Sequence, residues 1–186
     1  MKQHISPAIR LTLISIVFFC FVYPALIWII AQVSPARGEG ETVTVNGKTV
    51  GYKLIGQSFT QDKYFWSRPS AVGYNAAGSG GSNKGPSNPD YLKDVQSRID
   101  TFLAHNPGIK KEDVPAELVT ASGSGLDPDL SPDGAYVQVS RIAKTRNIPE
   151  EKIKSLIAQH IDQPFLGIFG PEKINVLQLN IALDSQ

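Results

Sequence analysis

Ser122 and Ser124, set among glycines in Ala121-Ser122-Gly123-Ser124-Gly125-Leu126-Asp127, are the residues whose types and spacing first suggest chemistry. A serine hydroxyl becomes a nucleophile beside a base that takes its proton. Imidazole bases beyond the N-terminal segment are limited to His105, next to Asn106-Pro107, and His160. The G-x-S-x-G elbow is also incomplete, because Ala121 stands at the position of the first glycine. A nucleophilic role is therefore not the expectation for either serine, and an anchored, exported serine hydrolase using Ser124 is kept as the alternative.

Two other chemistries fail at particular residues. Gly80 to Gly85 supplies the G-x-x-x-x-G of a phosphate loop, but Pro86 and Ser87 follow where Lys and Ser or Thr are needed. Asp127, Asp129 and Asp133 lack the central glycine and terminal Glu of a calcium loop. They read instead as turn and helix caps. With one cysteine, Cys20, the chain has no internal disulfide and no thiolate cluster. No metal site is expected.

The elements that would position these residues begin with a membrane anchor. Leu11 to Ile30 is apolar apart from Thr12, Ser15, Cys20, Tyr23 and Pro24, and twenty helical residues rise roughly 30 Å, one bilayer core. Lys2 and Arg10 precede the span and no acidic residue occurs before Glu39, so the positive-inside bias sets the N-terminus in the cytoplasm. The expected organisation is a cytoplasmic segment 1–10, a transmembrane helix 11–31 and an extracytoplasmic domain 32–186. Ser34-Pro35-Ala36 offers small residues to a signal peptidase, but the apolar region exceeds a usual signal core. An uncleaved anchor is the expectation. Pro24 cannot donate to the carbonyl of Cys20, which should bend the helix or free that carbonyl.

From Arg37 onward sixteen basic residues face seventeen acidic ones, which gives nucleic-acid binding no electrostatic support. Val43 and Val45, then Asn46-Gly47, then Val50, Tyr52 and Leu54 predict a β-hairpin. Arg68 to Pro89 is rich in Gly, Ser, Asn and Pro without period, and its length favours a functional loop. Asn88-Pro89 opens a helix carrying Leu92, Val95, Ile99, Phe102 and Leu103 on one face. Ser131-Pro132 opens a second, reaching Asn147, and a third begins near Pro149 and buries Ile153, Leu156 and Ile157. Leu177, Leu179, Ile181 and Leu183 alternate with Gln178 and Asn180 as a half-buried C-terminal strand. The fold class is α+β: one transmembrane helix followed by one domain with a hairpin, about three helices and a C-terminal strand.

"YFWSRPSAVGYN", "SGGSNKGPSNP", "LVTASGSGLDPDLSP" and "QVSRIAKTRNI" occur in this order, with Tyr23-Pro24 in the span and "LNIALD" near the C-terminus. Together they resemble the C subunit of the Kdp-type potassium-transporting P-type ATPase, over nearly the whole chain. The resemblance implies an accessory subunit of an inner-membrane complex whose partners are a channel-like potassium-binding subunit, a P-type ATPase subunit and a small single-span subunit, alongside membrane lipid. It implies a catalytic chaperone that raises the ATP affinity of the pump subunit, with ATP and potassium handled by the partners; the phosphate loop broken at Pro86 and the outward topology make no directly held cofactor the expectation. The chain has no D-K-T-G phosphorylation motif of its own. The family pattern departs at Asp129, where many members carry histidine, and at Gly134, where a better helix former is usual, so no titrating role is carried to position 129.

The candidates for subunit contact or loop shaping are Arg68, Ser70, Asn75, Gly80, Gly81, Ser82, Asn83, Asn88, Ser122, Gly123, Ser124, Gly125, Asp127, Gln138 and Arg141, with Tyr23 and Pro24 for packing of the membrane helix. Gly123 and Gly125 allow positive φ and close approach of another surface. The Ser122–Asp127 stretch thus reads as a shaped turn.

Overall fold

The structure, a computed structural model, describes residues 2–34 and 36–186. It divides into two compact units at the Glu41/Thr42 boundary.

The first unit is helical: α1 (Lys2–Val17), a π-helical turn (Phe18–Val22) and α2 (Tyr23–Gln32). From His4 to Gln32 they form 29 continuous residues, long and apolar enough to cross a membrane. Pro24 explains the π turn. Its ring crowds the carbonyl four residues back, and the helix accommodates this by widening, so that the Tyr23 amide donates to the Phe18 carbonyl.

In the second unit β1 (Thr42–Val45) and β2 (Lys48–Tyr52) pair antiparallel with a bulge between Val43 and Thr44. Asn46 (φ 51°) and Gly47 (φ 76°) both lie in the left-handed region, as the tight turn of a two-residue hairpin requires. α3 (Pro89–His105) starts where the sequence indicates, with the Asn88 side chain accepting from the amides of Asp90 and Tyr91. β3 (Asp129–Leu130) precedes α4 (Pro132–Tyr136), α5 (Val139–Arg146) and α6 (Glu150–Gln159), and then β4 (Ile174–Asn175) pairs antiparallel with β3 and leads into α7 (Val176–Asp184).

Two elements differ from the sequence expectation. The second helix is divided into α4 and α5, because the Gln138 side chain donates to the Gly134 carbonyl while the Gln138 amide turns to Ala135 three residues back. The C-terminal strand is the short Ile174–Asn175, and the alternating segment after it is helix α7. Val176, Leu179, Asn180 and Leu183 are buried along it, which is the i, i+3, i+4, i+7 spacing of a helix face. Leu177 is buried as well, so the helix is enclosed over much of its circumference and apolar residues fall on both alternating and helical positions.

The core joins Phe65, Leu130, Ile142, Ile153, Ile157, Ile174, Leu179 and Leu183, all fully or nearly fully buried. Each such side chain contributes about 1.5–3 kcal/mol on removal from water. α5, α6 and α7 pack successively around it, and Phe65 enters from the loop side.

Candidate interaction site

The Tyr64-Phe65-Trp66 stretch carries no regular secondary structure, so its buried main-chain groups need other partners. Two side-chain amides supply them. Asn180, on α7, accepts from the Phe65 amide at 2.8 Å and donates to the Phe65 carbonyl at 3.0 Å. Gln138, between α4 and α5, accepts from the Trp66 amide at 2.8 Å and donates to the Trp66 carbonyl at 3.3 Å.

Arg141, one turn further along α5, completes the arrangement. Its Nη2 donates to Gln138 Oε1 at 2.7 Å, its Nη1 to the carbonyls of Asp62 (2.6 Å) and Tyr64 (3.0 Å), and its Nε to Asn106 Oδ1 at 3.1 Å. The guanidinium lies 4.6 Å from the Trp66 ring centre, within cation–π range. Burial lowers its pKa to about 10, opposed by the charge of Asp62, whose carboxylate is 3.9 Å away. Carbonyl dipoles are thus its closest electrostatic partners. Gln138 and Arg141 act inside the domain, fixing the segment that leads into the glycine-rich loop.

That loop is strapped to the Ser122–Asp127 turn. Ser70 Oγ donates to the Gly125 carbonyl at 2.6 Å and receives the amides of Val72 and Tyr74. The Gly80 amide and the Ser79 hydroxyl both donate to the Ser124 carbonyl, at 2.8 and 3.0 Å. The Ser122 amide donates to the Pro69 carbonyl at 3.1 Å. Arg68 Nη1 meets Asp127 Oδ2 at 2.8 Å, while Arg68 Nε is buried without a hydrogen-bond partner. The Tyr74 hydroxyl donates to the Arg68 carbonyl, and burial raises its pKa above the ordinary phenol value.

The glycines explain the closeness of the two segments. Gly125 has φ +68°, and a Cβ there would lie 2.6 Å from Val72 Cγ2 and 2.7 Å from the Gly80 carbonyl oxygen. A Cβ on Gly56 would come within 2.3 Å of the Asp127 carbonyl oxygen. Of the pair that allows positive φ, only Gly125 uses it. Gly123 instead receives the close approach of Gly81, whose added Cβ would be 3.1 Å from the Gly123 carbonyl oxygen.

The serines have conformational tasks. Ser122, nearly fully buried, accepts the Gly125 amide at 2.9 Å, and Ser124 Oγ accepts the Leu126 amide at 3.1 Å. The imidazoles are engaged elsewhere: His105 Nδ1 is 2.8 Å from Asp62 Oδ1, and His160 Nδ1 is 2.8 Å from the Leu156 carbonyl. Asp127 Oδ1 accepts the Asp129 amide, and Asp129 Oδ2 accepts from Lys173 Nζ. That pairing raises the Lys173 pKa, chiefly through the hydrogen bond.

The remaining candidates sit apart from this strap. Asn75, Ser82 and Asn83 are exposed at its outer side, and Asn88 caps α3. Tyr23 and Pro24 lie at the π turn of the membrane unit. Sequence reasoning missed Asn180, Asn106 and Asn175, all buried. Asn175 caps α7 through the Gln178 amide and donates to the Lys53 carbonyl. For Asn175 and Asn180 the available signal was an Asn inside the largely apolar run from Ile174 to Leu183.

These features define a class: a single apolar helix of membrane-spanning length followed by an α+β domain in which buried polar side chains hold loops in place. The family described as "K+-transporting ATPase, c chain" matches residues 5–185. Relatives named potassium-transporting ATPase KdpC subunit share 56% identity over 182 residues in Flavobacterium psychrophilum, covering 98% of both chains. The Phocaeicola vulgatus relative shares 54% over 187 residues, covering 99% of this chain and 98% of its own. That of Caldanaerobacter subterraneus subsp. tengcongensis shares 45% over 184 residues, covering 98% and 95%. The chain belongs to the KdpC family.

Proposed function

We propose that this chain is the accessory, non-hydrolytic subunit of a potassium-transporting ATPase, carried by its near full-length match to relatives of that name. In this reading it crosses the cell inner membrane once, N-terminus in the cytoplasm, with the α+β domain outside. Its neighbours are a channel-like potassium-binding subunit, a P-type ATPase subunit and a small single-span subunit. ATP and potassium are held by those partners.

Its action follows from equilibrium linkage. A domain that binds one conformation of a pump more tightly than another shifts turnover and nucleotide affinity by that difference alone, about 1–3 kcal/mol for ordinary couplings. The chaperone effect on ATP affinity is then transmitted through the assembly, without nucleotide on the outer domain. The strapped loop supports this reading, since its bonds from Ser70, Ser79 and Gly80 to the Ser122–Asp127 turn hold it in one conformation and lower the ordering cost of a contact. The hydrolase alternative draws no support from Ser124, whose hydroxyl accepts a backbone amide.

Co-expression with the other subunits and purification in mild detergent tests the assignment. A stoichiometric complex, with a higher KM for ATP when this chain is omitted, is the expected result. A chain that purifies alone overturns it.

A further inference from the structure

Between α6 and β4 the chain forms a hairpin that stands apart from the core. At its base the amide of Asp162 donates to the Lys173 carbonyl at 2.8 Å and the reverse bond is 3.2 Å. At its tip Phe165 and Phe169 exchange both main-chain bonds at 3.0 Å. Leu166 (φ 54°) and Gly167 (φ 75°) make the turn, closed by the Gly167 amide on the Pro164 carbonyl at 2.8 Å.

This well-bonded hairpin presents apolar side chains to solvent. Phe165, Leu166, Ile168 and Phe169 are 72%, 74%, 75% and 60% exposed. The other large exposed apolar residues from Thr42 onward, Val50, Tyr52, Leu54, Leu92 and Tyr136, occur elsewhere in the sequence and not as such a contiguous run. A contiguous apolar patch marks a surface that another molecule covers.

We infer that the Phe165–Phe169 tip is an anchor that seats in an apolar recess on another subunit of the potassium-transporting ATPase, an inference that rests on the subunit reading above. Two observations favour a protein over a lipid surface. No basic residue lies from Gln163 to Pro171, the flanks carry Asp162 and Glu172, and the single flanking lysine, Lys173, is paired with Asp129, so nothing attracts anionic headgroups. The two phenylalanines are also carried on a turn whose main chain is closed by hydrogen bonds, and a preorganised backbone lowers the cost of burying apolar anchors in a partner.

The test uses the full chain co-expressed with the other subunits. With Phe169→p-benzoylphenylalanine, irradiation of the purified complex should give a covalent product with one other subunit. Phe165→Ser combined with Phe169→Ser should lower retention of the chain in the complex by about tenfold, with its thermal unfolding in detergent unchanged. If the wild-type chain does not co-purify, the subunit reading falls and the inference with it. If the complex forms but the product is with lipid alone, with a second copy of this chain or absent, the docking inference alone is overturned. Undiminished retention of the double variant overturns it as well.

Discussion

Asn180 holds Phe65 by both of its main-chain groups, 2.8 Å from the amide and 3.0 Å from the carbonyl, across 115 residues of sequence. Asn180→Leu strands both groups in a buried site, as Gln138→Leu strands those of Trp66 together with the Arg141 fork. Each substitution should cost about 2–5 kcal/mol, because unsatisfied buried groups bear their full desolvation penalty. Denaturant unfolding of the detergent-solubilised chain measures it. A change within about 0.5 kcal/mol, the range of ordinary surface substitutions, would show that the clamp is dispensable.

Glycine substitutions separate strained positions from open ones. Gly125→Ala puts a side chain at φ +68° against Val72 and the Gly80 carbonyl, and should destabilise by about 2–4 kcal/mol. Gly123→Ala, in the same turn but with nothing within 4 Å, should stay within about 0.5 kcal/mol of the parent. Matched thermal unfolding of the two variants decides whether the strap depends on that one position.

The raised pKa of Tyr74 makes an alkaline prediction. Burial favours the neutral phenol in the folded state, so the unfolded chain releases this proton first. The associated stability is complete below the ordinary phenol pKa and is lost as pH rises through the folded value. Phenolate absorbance should show a late-titrating fraction that shrinks in Tyr74→Phe. Tyr64, whose pKa is raised first by its hydrogen bond to Asp184, should contribute to that fraction as well. An unchanged titration curve in Tyr74→Phe would refute the assignment.

Ser122→Ala and Ser124→Ala should leave ATP hydrolysis by the assembled complex within a few-fold of the parent, not down by the several orders of magnitude that loss of a nucleophile costs. Ser122→Ala should cost about 1–2 kcal/mol of folding stability through the lost bond to the Gly125 amide. A fully assembled complex without activity in either variant would restore a catalytic reading.

Local signals were legible in the sequence wherever local chemistry decides the structure. Asn46-Gly47 made the hairpin, Asn88-Pro89 opened α3, and the apolar run from Leu11 gave a helix long enough to cross a membrane. α7 reads as a strand in sequence because apolar residues alternate from Leu177 to Leu183, which puts Asn180 on the polar side of that pattern. Its burial depends on Phe65, which no local pattern connects to it. The same distance hid the strap: Gly80 and Ser124 each stand out in sequence, but no local pattern shows that their segments meet. Gln138 and Arg141 were found through family resemblance, since a buried Gln and a buried Arg look like surface residues in sequence.

The clamp on Phe65 also sets an order of events during synthesis. Phe65 is made 115 residues before the Asn180 that satisfies it, an interval of roughly 6–23 s at 5–20 residues per second. Through that interval Phe65 lacks α7, and Leu179 and Leu183, two of the side chains beside it in the core cluster, do not yet exist. The nascent domain therefore carries an open apolar cavity until its final helix emerges, and chains interrupted before Asn180 should be preferred substrates for chaperones and proteases at the ribosome or the membrane.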